Sequence, residues 1–250
     1  MLETKNLTVG YNRRPILSDI NVTLLPGKMT VLIGSNGSGK STLLRTLSGA
    51  QPPLSGDILI NGSSIQAFSS QRLSRLLSVV LTDRIGGGGL RVKELVSIGR
   101  YPHTGFLNKL SEFDNKEIYK ALDMVGLIRK SECYVSELSD GERQKAMIAR
   151  AVAQDTSIII LDEPTSFLDV ASRFEIIELL HSLAHNQGKA ILLSTHDTAA
   201  ALPKSDQIWA VVGEKLNSGN INDLNDLGIL DLVFTNIGYD NKSMDFRPDK

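Results

Sequence analysis

Hydrophobic and polar positions alternate from the start of the chain. Leu7, Val9 and Tyr11 share one phase, and Ile20, Val22 and Leu24 repeat it, so both stretches read as half-buried strands. Pro26-Gly27 supplies the turn that follows. Met29 to Ile33 is a short apolar run feeding a glycine-rich loop, Gly34 to Gly39. A helix is predicted from Lys40 to Leu47, closed by Gly49, with further strands at Asp57–Ile60 and Ser78–Thr82. Four consecutive glycines, Gly86 to Gly89, predict a mobile connection. Farther along, Ile118, Ala121, Leu122 and Val125 fall on one helical face ended by Gly126, and Gly141–Ala153 also reads as helix. Strand patterns return at Ser157–Leu161, Ala190–Ser194 and Gln207–Val212, with a long helix near Ala171–His185.

Strands alternating with helices imply a largely parallel sheet in an α/β fold. The helical block from roughly Arg91 to Gln154 interrupts that alternation and reads as an inserted subdomain. The expected division is one domain over 1–240. Its core spans about 1–85 and 155–215, with a helical subdomain over 90–154, an extension over 216–240 and a polar, frayed tail over 241–250.

Composition narrows the class. The 250 residues suit one large α/β domain. Lys and Arg (27) nearly balance Asp and Glu (28), and the net charge of −1 removes any reason to expect bulk binding to nucleic acid. The single cysteine, Cys133, excludes an internal disulfide and any multi-cysteine metal site. No apolar run approaches the roughly 18 residues of a membrane span, and the first residues lack a signal-peptide layout. The expectation is a cytoplasmic protein.

The chemistry is concentrated at Gly34-Ser35-Asn36-Gly37-Ser38-Gly39-Lys40-Ser41-Thr42, which matches G-x-x-x-x-G-K-[ST] between a strand and a helix. Glycines let backbone N–H groups converge on phosphate oxygens, and the helix start adds its dipole. Lys40 brings a full charge to the β and γ phosphates, and the Ser41 hydroxyl can ligate magnesium. The complement is Ser157–Leu161 followed by Asp162-Glu163, a continuous apolar strand ending in two carboxylates. Ligands in open parallel sheets bind beyond such strand ends. Asp162 can hold magnesium through water, and Glu163 can polarise an attacking water.

With these motifs in place, the set resembles the ATP-binding cassette (ABC) ATPase family, a P-loop NTPase fold with an antiparallel N-terminal β subdomain and an inserted helical one. Leu138-Ser139-Asp140-Gly141-Glu142 resembles the family signature usually written LSGGQ. Ser166-Phe167-Leu168-Asp169 resembles the D-loop, and Ser194-Thr195-His196-Asp197 the switch-histidine loop. Tyr11 matches the aromatic residue that stacks on adenine. The resemblance covers about Leu2 to Val212 and implies ATP and Mg2+ as ligands. It also implies a head-to-tail homodimer with ATP at the interface, in which Ser139, Gly141 and Glu142 of one copy face the phosphate loop of the other. His196 would contact the γ-phosphate within its own chain.

A narrower resemblance lies in Val92 to His103, which contains Gly99-Arg100-Tyr101-Pro102-His103. This segment is similar to one in the ATPases of importers for iron–siderophore complexes, haem and cobalamin, where it follows the strand leading into the helical subdomain. Read from residues alone, it is an amphipathic helix ending at Gly99, with a turn at Tyr101-Pro102. The family implies two integral membrane permease subunits as partners, a substrate-binding protein acting through them, and a peripheral place on the inner face of the cell membrane. The alternative is a soluble ABC ATPase without a transport role, in cluster assembly or similar work.

Two positions depart from the family. No glutamine lies between Gln71 and Gln144, so the usual magnesium-sensing glutamine is replaced near Thr82, with Asp83 beside it. The third signature residue, normally glycine, is Asp140, a carboxylate tolerable near phosphate only if it points away. His181 and His185 have the i, i+4 spacing of a metal pair but no third ligand, and read as a solvated face. Arg13 and Arg14 read as a hairpin tip, and Cys133 as structural.

Overall fold

The computed structural model describes residues 1–81, 89–105 and 109–234, and the backbone of two short strands beyond. Thr82 and Gly86–Gly88 lie outside the described residues.

The N-terminal strands are β1 (Leu2–Tyr11), β2 (Arg14–Ile20) and β3 (Thr23–Leu24). The first core strand, β4 (Met29–Ile33), and helix α1 (Lys40–Leu47) follow, and then β5 (Ser55–Ile60) and β6 (Ser63–Ser64). An antiparallel sheet forms in the order β2-β1-β5-β6, with β3 also on β1. The even phase is buried at Leu2 and Thr4, and the odd phase at Leu7 and Val9. The switch occurs where the register between β1 and β5 shifts between Lys5 and Thr8, and Asn6 takes φ +46°. A bulge of this kind turns side chains to the other face. Tyr11, expected in phase with Leu7 and Val9, is exposed: the register between β1 and β2 shifts again between Val9 and Gly10.

Next come α2 (Ser70–Leu73), β7 (Leu77–Val80), α3 (Val92–Ser97), α4 (Glu112–Met124), α5 (Asp140–Ala153) and β8 (Ile158–Asp162). The remaining elements of the main sheet region are α6 (Val170–Gln187), β9 (Ala190–Ser194), α7 (Thr198–Ala201) and β10 (Gln207–Val212). The main sheet runs β11-β10-β4-β9-β8-β7, where β11 (Lys215–Gly219) is antiparallel to β10 and the other pairs are parallel. Its central strands are apolar on both faces, as the continuous runs predicted. Alternate residues serve two cores. Val31, Ile159 and Leu193 face one with α3–α6, while Leu32, Ile160 and Leu192 face the other with α1 and the N-terminal sheet.

Helices α3, α4 and α5 pack on one another. The predicted helix end at Gly99 is not observed: α3 ends at Ser97, and a 3-10 turn continues from Ile98 to His103. Gly99 is there for contact, because a Cβ would lie 2.2 Å from the Arg150 carbonyl oxygen on α5. Next to it, buried Arg100 pairs with Asp114 at 2.9 Å and donates to the Ala153 carbonyl at 2.8 Å. Burial pushes the Asp114 carboxyl up, but hydrogen bonds from Ser111 and Arg100 outweigh it and bring the pKa to about 2. At the end of α5, the Gln154 amide donates to the carbonyls of Ser74 (2.6 Å) and Leu77 (3.1 Å). That ties the helix to the turn before β7.

Beyond Val212, where the sequence pattern fades, the chain adds β11, α8 (Ile221–Asp226) and α9 (Ile229–Phe234). A capping box between Asn220 and Asp223 starts α8. Two-residue strands β12 (Tyr239–Asp240) and β13 (Asp245–Phe246) pair with each other.

Candidate functional site

Strand β4 delivers the chain into the glycine loop. Gly37 (φ +76°) and Gly39 (φ +98°) take left-handed backbone that side chains resist, and a Cβ on Gly39 would come within 2.6 Å of Ile16. Gly39 is the residue from which α1 starts. Lys40, only 6% exposed, folds back so that Nζ donates to the carbonyls of Gly34 (2.8 Å) and Ser35 (3.0 Å). Burial lowers its pKa, and the charges of Glu163 and Asp162 oppose that shift. The buried Ser38 hydroxyl has no partner among the described residues. A buried orphan of this kind in an N–H-rich loop fits an anion that would satisfy it.

Strands β8 and β9 end side by side and place the acidic pair next to this loop. Asp162 Oδ1 accepts from Ser194 Oγ at 2.7 Å and from Ser41 Oγ at 3.3 Å. A hydroxyl and a carboxylate this close supply hard oxygens suited to Mg2+, which keeps several waters and takes few protein ligands. At the other end of α1's first turn, Tyr11 Oη lies 3.4 Å from Thr42 Oγ1, bringing the exposed ring to the same helix. Thr82, the remaining predicted metal contact, is not among the described residues.

Glu163 takes φ +49°, a conformation costly for a residue with a Cβ. Its backbone N–H is held by Ser194, through the carbonyl at 3.1 Å and Oγ at 3.0 Å. Its carboxylate meets His196 twice, Oε1 to Nε2 at 3.0 Å and Oε2 accepting from the backbone N–H at 3.2 Å. Burial raises the Glu163 pKa, the charges of His196 and Lys40 pull it back, and Asp162 raises it further. Glu163 and His196 line an open cavity of about 490 Å3 with Thr165, Ser166, Arg173 and Asp197. A second, of about 180 Å3, lies between Gly34–Asn36, Thr195, His196 and the α9 residues Val233 and Phe234.

The signature residues sit elsewhere, at the start of α5. Ser139 Oγ accepts from the Glu142 N–H at 3.2 Å, and Glu142 Oε2 accepts from the Ser139 N–H at 3.2 Å, a capping box. Glu142 Oε1 pairs with Lys130 at 2.5 Å. A Cβ on Gly141 would come within 2.7 Å of Ser172 Oγ, so Gly141 lies against the start of α6. The Asp140 carboxylate turns to Arg143 at 2.9 Å.

Sequence reading gave Ser194 no role of its own, although it bonds Asp162 and Glu163 together. It is the last residue of β9, so its hydroxyl and carbonyl emerge at the same sheet edge. It also missed Val233 and Phe234. His181 and His185 stack at 4.1 Å, and His185 faces Asp206, but no cluster of three ligands forms among the described residues.

The model of the family described as ABC transporter matches residues 17–166. The chain belongs to the ABC transporter family. As a member of it, the cassette is an ATPase. It is 39% identical to the iron(3+)-hydroxamate import ATP-binding protein of Bacillus subtilis, over 78% of this chain and 73% of the relative. A structure described as an inward-facing, metal-chelate-type ABC transporter superposes with a TM-score of 0.82 at 27% identity, covering 94% of this cassette and 88% of that chain. A dimeric cassette in a post-hydrolysis state, bound to ADP and Pi, has a TM-score of 0.73 at 25% identity, covering 88% and 98%. Among the described residues, no helix of the cassette is long and apolar enough to cross a membrane.

Proposed function

We propose that this cassette hydrolyses ATP to drive an importer of ferric chelates. The observation that carries the hydrolytic part is the pairing of Glu163 with His196 beside the Ser41–Asp162 contact. Lys40, Thr42 and the N–H groups of 34–41 hold the triphosphate, and the Tyr11 ring stacks on adenine. Mg2+ would be held by Ser41 and Asp162, with Thr82 as the further candidate ligand, and would neutralise charge on the triphosphate. Glu163 takes a proton from the attacking water while the water oxygen bonds to the γ-phosphorus. The bond to the β–γ bridging oxygen breaks, and its electron pair leaves with ADP. His196 fixes the Glu163 carboxylate and reaches the γ-phosphate.

One copy leaves the γ-phosphate open on the side of the 490 Å3 cavity. A second copy closes it with Ser139 and Gly141 at its α5 start, making the homodimer; the dimeric relative supports this. The helical part over 90–154 moves as a subdomain against the core. Two membrane permease subunits receive that motion, a substrate-binding protein feeds them, and the cassette rests on the inner face of the membrane through them. The chelate assignment rests on the hydroxamate relative, the metal-chelate transporter and the segment from Gly99 to His103. Haem and cobalamin are the neighbouring substrate classes.

The test is uptake of radiolabelled iron hydroxamate, haem and cobalamin by cells whose cassette carries Glu163→Gln. Loss of iron-hydroxamate uptake alone supports the reading; unchanged uptake of all three overturns it.

A further inference from the structure

The signature of this cassette carries two carboxylates, Asp140 and Glu142, where the family pattern LSGGQ has uncharged residues. On the two-copy reading above, on which this inference rests, both stand at a helix start that must approach the partner's triphosphate. Unbalanced, they would repel it. The structure gives each a cation of its own. Arg143 Nη1 holds Asp140 at 2.9 Å and Nη2 donates to the Leu138 carbonyl at 3.1 Å, drawing that carboxylate along the helix side. Lys130, in the 3-10 turn Ile128–Lys130, reaches across to Glu142 Oε1.

We infer that Lys130 is a positioning residue for ATP-driven dimerisation, cancelling the Glu142 charge and holding the signature serine ready to donate. Glu142 bonds Lys130 with one oxygen and the Ser139 N–H with the other. Its own N–H bonds Ser139 Oγ. Because that oxygen already accepts a bond, the Ser139 hydroxyl proton remains for an outside acceptor. The Lys130 hydrogen bond is the main influence keeping the Glu142 carboxyl below its ordinary range, so the carboxylate stays ionised and stays in need of its cation. The pair is half-exposed, with Lys130 at 44% and Glu142 at 29%, so it adds little to folding. Its effect is on the charge the partner's nucleotide meets.

The experiment uses the full chain carrying Glu163→Gln, which binds ATP without turning it over. Sedimentation gives the ATP concentration at half-maximal dimer, at low salt and at about 1 M, where the Debye length shrinks to about 3 Å. Adding Lys130→Ala should raise that concentration about three- to tenfold at low salt, the usual scale for one surface charge acting on a polyanion. Lys130→Arg should match the Glu163→Gln protein. Adding Glu142→Gln to Lys130→Ala should recover most of the loss, and the gap should close in high salt. An unchanged midpoint, a shift that Glu142→Gln does not relieve, or one that persists at 1 M salt overturns the inference. If the Glu163→Gln protein forms no dimer with ATP, the two-copy reading itself has failed, and the inference falls with it. Where Lys130→Ala lowers thermal stability, the Arg variant and the Glu142→Gln rescue still decide.

Discussion

The carboxylate of Glu163 and the imidazole of His196 are in direct contact, with Nε2 3.0 Å from Oε1. The same glutamate accepts the His196 backbone N–H through its other oxygen. Two residues at the ends of neighbouring parallel strands are thereby fixed as one unit, facing an open cavity. Glu163→Gln is expected to lower turnover by about a hundredfold or more with ATP binding retained; His196→Ala should cost about tenfold or more, since orientation is lost while the base remains. Steady-state hydrolysis and nucleotide titration measure both.

The raised pKa of Glu163 sets the direction of a pH effect. As a base it works ionised, so activity should fall as pH drops through a value above the ordinary 4.5. Stability runs the other way. A carboxyl whose pKa is raised by folding favours the folded state below its unfolded pKa, and that contribution is lost as pH rises through the folded value. Melting curves should therefore show Glu163→Gln gaining on the parent at pH 8, with the gain closing as pH approaches 4.5.

Lys40 is buried, its ammonium donates to the Gly34 and Ser35 carbonyls, and burial lowers its pKa. Lys40→Ala should weaken ATP binding by about a hundredfold, because the triphosphate loses a charged donor. Thermal stability should change little, since a partly desolvated charge goes with it. Calorimetric titration and melting curves separate the two effects.

Removal of divalent cation by a chelator should stop hydrolysis while leaving measurable nucleotide binding, and Ser41→Ala or Asp162→Asn should raise the Mg2+ concentration needed for half-maximal rate. The metal role proposed for Thr82 is tested in the same titration: a Thr82→Ala protein with the parental Mg2+ dependence would show that this hydroxyl has no part in holding the metal.

Arg100→Met would leave the Asp114 carboxylate buried without its cation, at a cost of about 3–5 kcal/mol. Asp114 has a folded pKa of about 2 against 3.8, so its contribution is present above 3.8 and lost as pH falls toward 2. Denaturant unfolding should show the parent–variant difference narrowing over that interval.

Much of this site is written locally in the chain. A glycine loop between an apolar run and a helix needs no tertiary information, and α1 and β9 fall where periodicity places them. The Glu163–His196 contact is not local: it depends on β8 and β9 being adjacent and in register, Asp162 beside Ser194. The shared phase of Leu7 and Val9 is legible, but the register shift between Val9 and Gly10 that leaves Tyr11 exposed depends on pairing with β2. Gly99 looked like a helix terminator because glycine commonly is one, whereas its reason is the Arg150 carbonyl on another helix. The terminal helices α8 and α9 are six residues each, too short for a periodic signal to rise above the surrounding polarity.

The Gln154 bonds to Ser74 and Leu77 lie at one end of α5, and Ser139 lies at the other. Fourteen helical residues span about 21 Å. Because α3, α4 and α5 pack on one another, a tilt of that block about this tie would carry the far tip with it, and about ten degrees over that length is an arc of nearly 4 Å. A small rotation at the core would in this way decide whether that tip touches or misses a neighbouring molecule.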